Sequence, residues 1–167
     1  MGEDRTLEVL KEAILLETRG RSFYRGVAQN AKSDAVKRFF ELMANEEDAH
    51  VHILTEQYKQ FVSTNRFVSD IYADAGEPDT VGMILSDQVK MQISAAGVEA
   101  AAISAAIALE EKAVKLYSGR AAASEILPEK ALYEWLANWE KQHLHVLTAI
   151  DRELTERIWN DNQFWPF

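Results

Sequence analysis

Two stretches of the sequence place an acid and an imidazole three residues apart. They are Glu47 and His50 in NEEDAHVHIL (45–54), and Glu140 and His143 in NWEKQHLHVL (138–147). Residues three apart share one face of a helix, with Cβ atoms roughly 5–6 Å from each other, so each pair can converge on a single point. Both pairs fall on otherwise apolar stripes stepped by three and four: Val36, Phe40, Met43, Glu47, His50, Leu54, and Tyr133, Leu136, Glu140, His143, Leu147, Ile150, Leu154. Two further stripes each carry one acid near the middle: Leu10, Ile14, Glu17, Arg21, Tyr24, Ala28, and Ile103, Ile107, Glu110, Val114, Tyr117, Ala121.

Packing four such helices together brings four carboxylates and two imidazoles into one cluster. Left empty, the cluster is costly, because each buried unpaired ion costs several kcal/mol and neighbouring carboxylates resist ionising together. Two divalent cations remove the conflict: their four positive charges balance four carboxylates, and neutral imidazoles complete the coordination. One Glu from each of two helices plus Glu-x-x-His from the other two is the ligand pattern of di-iron and di-manganese carboxylate bundles. A single Glu-x-x-His is a weak signal, since many solvated helix faces contain one; the weight lies in its occurring twice with two matching acids.

The elements that must position these residues are helices. Only 7 Gly and 3 Pro occur in 167 residues, and the apolar periodicity is helical throughout. It predicts helices over about 5–30, 34–62 (opened by Ser33 or Asp34), 97–123 and 129–159, the last with Pro128 at its start. Between the second and third lies a connection (63–79) too long for a compact hairpin turn, as expected of a crossover in a bundle; a short helix after Thr80 is expected before the third. The aromatic tail NDNQFWPF is expected to dock.

The halves repeat at a constant offset of 93 residues: Ala13, Ile14, Leu16 and Glu17 recur as Ala106, Ile107, Leu109 and Glu110, and Tyr24 recurs as Tyr117. Glu41, Ala44, Asn45, Glu47, His50, His52 and Leu54 find the same residue at the same offset, without a gap. The expected fold is therefore all-α: one domain over 1–167, a four-helix bundle of two pseudo-symmetric helical hairpins with a long crossover between the second and third helices.

Composition narrows the function. The net charge of −9 argues against a nucleic-acid partner, and zero Cys excludes disulfides, thiol nucleophiles and iron–sulfur clusters. No apolar run is long enough for a membrane span and the charged N-terminus has no signal core, so a cytoplasmic protein is expected.

In LETRGRSFY, EEDAH, LEEKAVKLY and EKQH the chain resembles the rubrerythrin-type members of the ferritin-like superfamily, over nearly its whole length. The resemblance implies two iron ions, with Mn or Zn as alternatives. It implies that Glu47 and Glu140 bridge them, that Glu17 and Glu110 each cap one, and that His50 and His143 complete the set. Tyr24 and Tyr117 become the candidate catalytic residues, donating to a ligand carboxylate from just outside the ligands; a core tyrosine with a satisfied hydroxyl is the other reading. Two features depart from full-length rubrerythrin: no cysteine-ligated rubredoxin module is present, and Ala113 stands where an additional ligand glutamate would follow Glu110. The resemblance implies oxidation of iron by O₂ or H₂O₂, a separate electron-donor protein and a homodimer. Iron storage or binding without catalysis is the competing reading.

Other polar residues rank lower. His52 and His145 point away from the ligands, being about 200° further round the helix. Glu41 and Glu134 read as solvated acids, and Arg21 as a partner for an acid near the site. Glu46 and Trp139 differ between the halves and are set aside as ligands, and Trp135, Trp139, Trp159 and Trp165 read as packing or interface residues.

Overall fold

The computed structural model describes residues 2–73, 75, 87–93 and 97–161. Among them are five helices and no strand: α1 (Gly2–Asn30), α2 (Asp34–Thr64), α3 (Asp87–Gln92), α4 (Val98–Ala123) and α5 (Leu127–Asp161). The chain forms the expected all-α, ferritin-like bundle. Its four long helices lie close to the predicted limits, α5 starting at Leu127 rather than 129.

Local chemistry sets the helix ends. Ser33 is extended (φ −99°, ψ 133°), and its hydroxyl accepts the Val36 N–H at 3.4 Å. Asp34 follows in the first turn, where a negative charge favours the helix dipole. Asn65 ends α2 in the left-handed region (φ 53°), its N–H donating to the Phe61 carbonyl at 2.8 Å. Pro128 occupies the first turn of α5, where a missing N–H removes no helical bond.

α1 packs along α2, and α4 along α5, as antiparallel hairpins. Arg120 near the end of α4 donates to Thr6 near the start of α1 at 2.9 Å, so α1 and α4 run in opposite directions and α2 and α4 run in the same one. The chain must therefore return the length of the bundle between α2 and α4. It does so along α5. Tyr72 stacks on Trp135 with ring centroids 4.9 Å apart, and the Lys90 carbonyl accepts from Arg157 at 2.7 Å. At about 1.5 Å per residue those anchors are roughly 33 Å apart on α5. α3 is the short helix described in this connection; the region just after Thr80, and the tail from Asn162 with Trp165, lie outside the described residues.

The core has two apolar parts, one around Tyr24, Phe39, Phe40, Met43, Ile103 and Leu147, the other around Leu10, Leu54, Phe61, Tyr117, Leu132 and Leu136. The predicted stripes of the second and fourth long helices are buried throughout. In α1 and α4 the stripe differs at two steps. Ala13 and Gly20 are buried where Ile14 and Arg21 are expected, and Ala106 and Ala113 where Ile107 and Val114 are expected. At Gly20 the ligand layer fills the space opposite: a Cβ there would already lie 3.5 Å from the Glu47 carboxyl carbon. Arg21, whose charge is costly to bury unpaired, turns outward and donates to Asp48 at 2.5 Å.

One buried ion pair ties three helices at the end of the bundle. Arg120 reaches Glu129 at 2.7 Å through Nε as well as Thr6, while Ser124 donates to the other Glu129 oxygen at 2.6 Å. Glu129 is 1% exposed. Arg120→Met strands that carboxylate and is expected to lower unfolding free energy by about 2–4 kcal/mol in chemical denaturation. Lys37→Ala removes a half-exposed partner 4.0 Å from Glu41 and should change it by less than about 0.5 kcal/mol. Equal losses would refute the distinction.

Candidate metal centre

Between the two apolar parts, each of the four long helices sends acid into a common layer, and α2 and α5 add one imidazole each. Glu17, Glu47, Glu110 and Glu140 are 0–3% exposed, and His50 and His143 are fully buried. Two overlapping groups form. In one, Glu17, Glu47, His50 and Glu140 place one candidate donor atom each within 4.8 Å of one another; in the other, Glu47, Glu110, Glu140 and His143 do the same. Glu47 and Glu140 belong to both. The structure thus brings all six sequence-predicted residues together, with the shared acids in the middle.

His50 presents Nδ1 to Glu140 at 2.9 Å, Glu17 at 3.4 Å and Glu47 at 3.8 Å. His143 presents Nδ1 to Glu140 at 3.1 Å, Glu47 at 3.5 Å and Glu110 at 3.6 Å. The tyrosines bind crosswise between the hairpins: Tyr24 of α1 donates to Glu110 of α4, and Tyr117 of α4 donates to Glu17 of α1. Both hydroxyls are held protonated well above the usual phenol range, by burial first and then by the acid each one faces.

Protons divide the six groups into three pairs. Burial, reinforced by the charges of Glu47 and Glu140, pushes the Glu17 and Glu110 carboxyls well above the ordinary range. Burial works the same way on Glu47 and Glu140 but is outweighed: the neighbouring Glu17 acid and the two imidazoles lower Glu47, and the imidazolium charges lower Glu140. Burial depresses both histidines, and Glu140 more than reverses it, raising each well above 6.5. Burial and mutual charge thus favour the ionised form at Glu47 and Glu140, the protonated form at His50 and His143, and the neutral form at Glu17 and Glu110.

The protein alone leaves this cluster incompletely satisfied. His50 Nδ1 and Glu140 Oε1 approach each other but not along a hydrogen-bonding direction, so both, with His50 Nε2, are buried without a hydrogen-bond partner. Four carboxyl groups and two imidazoles with orphaned donor atoms fit a pair of divalent cations, and this O/N set suits Fe, Mn or Zn.

Outside the six, Glu46 makes a contact that sequence reasoning missed. It is 8% exposed, its Oε2 lies 2.5 Å from His143 Nε2, and it accepts from Trp139 Nε1 at 3.4 Å. Trp135 and Trp139 also stand edge-on to His50, with centroids 5.6 and 5.3 Å away. They line the site as well as pack. His52 and His145 are exposed, and Glu41 and Glu134 are exposed acids near Lys37 and Lys130 (4.0 and 3.9 Å). Arg21 pairs with Asp48, on the outer side of the hairpin. Ala113 is buried against Leu136 and its neighbours in the second apolar part.

No curated protein and no solved structure matches the chain. The family model described as Rubrerythrin matches residues 8–151, a span that contains all six clustered residues and both tyrosines. With its fold and its buried Glu/His layer, the chain belongs to the rubrerythrin family, in a form whose 167 residues contain no rubredoxin cysteines.

Proposed function

We propose that the protein is a di-iron oxidoreductase that reduces O₂ or H₂O₂, with electrons from a separate donor protein. The observation that carries this reading is the pair of overlapping Glu/His groups sharing Glu47 and Glu140 in a buried layer. In this reading Glu47 and Glu140 would hold both irons, Glu17 and His50 would hold one, and Glu110 and His143 the other. Bound iron would supply the one-electron redox changes that reduction of O₂ or peroxide requires.

The chain's own contribution is orientation, dryness and proton control. Tyr24 and Tyr117 fix the carboxylates of Glu110 and Glu17 from the opposite hairpin, so neither acid swings away. The apolar parts above and below exclude bulk water, which strengthens electrostatic interactions within the layer. The tyrosine hydroxyls keep their protons at neutral pH and stand beside the reacting region as donors. Tyr72, Trp135 and Trp139 form a chain of ring contacts that ends on His50, a route inward for the donor's electrons.

Anaerobic loading with Fe²⁺ followed by a pulse of O₂ or H₂O₂ is the direct test. Oxidation at two irons per chain is expected, faster with the true oxidant. Glu47→Ala combined with Glu140→Ala should abolish both metal uptake and oxidation while helical circular dichroism persists. Uptake far beyond two irons would favour storage, and binding without oxidation would refute the redox reading.

Proton linkage offers a second check. Metal must displace the protons that the folded cluster holds on His50, His143, Glu17 and Glu110, all of which have raised pKa values. Affinity for Zn²⁺ is therefore expected to keep rising as pH climbs through and beyond the ordinary imidazole value of 6.5. Protons should appear in weakly buffered solution on binding. A flat or falling profile would contradict the proton assignment.

A further inference from the structure

The offset of 93 residues that relates the halves pairs Glu46 with Trp139, and these two touch each other. A residue in contact with its own symmetry mate lies on the pseudo-two-fold axis. The axis is also where the two halves stop being alike, since one contributes a carboxylate and the other an indole.

The two histidines consequently have different surroundings. His143 uses both ring nitrogens: Nδ1 faces Glu140, Glu47 and Glu110, and Nε2 lies 2.5 Å from Glu46. Glu46 accepts from Trp139 on the same oxygen, so it is oriented before any metal arrives. A carboxylate accepting from Nε2–H leaves the Nδ1 lone pair for a metal and fixes the plane of the ring. His50 likewise turns Nδ1 to the acids, but its Nε2 is buried without a hydrogen-bond partner, beside the edge-on rings of Trp135 and Trp139. Among the described residues no acceptor holds its Nε2–H or the plane of its ring.

We infer that Glu46 is a positioning residue that makes the Glu110–His143 half the tighter of two metal sites, so that the pair fills in order, that half first. Removing a carboxylate behind a ligand imidazole typically costs about 10–100-fold in metal affinity. That is enough to separate two otherwise equivalent binding steps. The inference rests on the two-metal part of the proposed function and not on any redox activity.

The test is calorimetric titration of the metal-free full-length protein with Co²⁺. Wild type should bind two Co²⁺ in steps separated by about 10-fold or more. Glu46→Gln, close to isosteric, should weaken the tighter step by about that factor and merge the two. In a His143→Ala background, which retains the weaker step, Glu46→Gln should change nothing, because Glu46 acts through His143; a general packing defect would weaken that step too. Nitrogen-15 NMR of the Zn²⁺-loaded protein should show a strongly hydrogen-bonded Nε2–H at His143, its proton moving upfield in Glu46→Gln. Equal steps in the wild type, an unchanged tight step in Glu46→Gln, or an effect that survives His143→Ala would each overturn the inference. Absence of Co²⁺ binding by the wild type would instead overturn the two-metal reading beneath it.

Discussion

Six ionisable side chains share one buried layer, where any unpaired charge is costly. Everything else in the bundle accommodates that cost. Within the protein alone the groups bias one another: Glu47 and Glu140 towards the ionised form, His50 and His143 towards the protonated form, and Glu17 and Glu110 towards the neutral form. Two divalent cations would balance all four carboxylates, so cation binding at this site would be linked to proton release.

The neighbours of the layer follow from the same constraint. A carboxyl group held neutral or ionised by small margins needs its geometry fixed, and the crosswise tyrosine bonds do this from the opposite hairpin. They also stitch α1 to α4, which otherwise touch less than the partners within each hairpin. Gly20, one turn on from Glu17, leaves room for the Glu47 side chain. The apolar parts on either side supply the burial that offsets the cost of a polar middle.

Much of this was readable in the sequence because duplication writes each signal twice. The four long helices and the six clustered residues follow from periodicity and the constant offset, whereas the crosswise bonds of Tyr24 and Tyr117 appear only in the packed bundle. The limits have physical causes. A period of 3.6 does not decide between steps of three and four, and only tertiary packing selected Gly20 over Arg21 and Ala113 over Val114. Glu46 was passed over because it differs from Trp139, although that difference is what lets the two bond on the axis. The knot of Thr6, Arg120, Ser124 and Glu129 joins segments far apart in the chain, with no local pattern to announce it. The path of the crossover along α5 is likewise set by contacts of Tyr72 and Lys90 that tertiary structure alone creates.

The crossover itself can be traced to the site. For Glu47 and Glu140 to meet, and for Glu46 to touch Trp139, α2 and α5 must face each other where the axis passes. With α1 and α4 antiparallel, that axis runs across the bundle rather than along it. Such an axis inverts one hairpin relative to the other: the second must start at the end of the bundle where the first turns, not where it finishes. A short loop cannot make that connection. The long segment after α2 is thus the topological consequence of building one metal centre from two copies of the same hairpin, and its anchoring by Tyr72 and Lys90 turns an obligatory linker into part of the wall around Trp135 and α5.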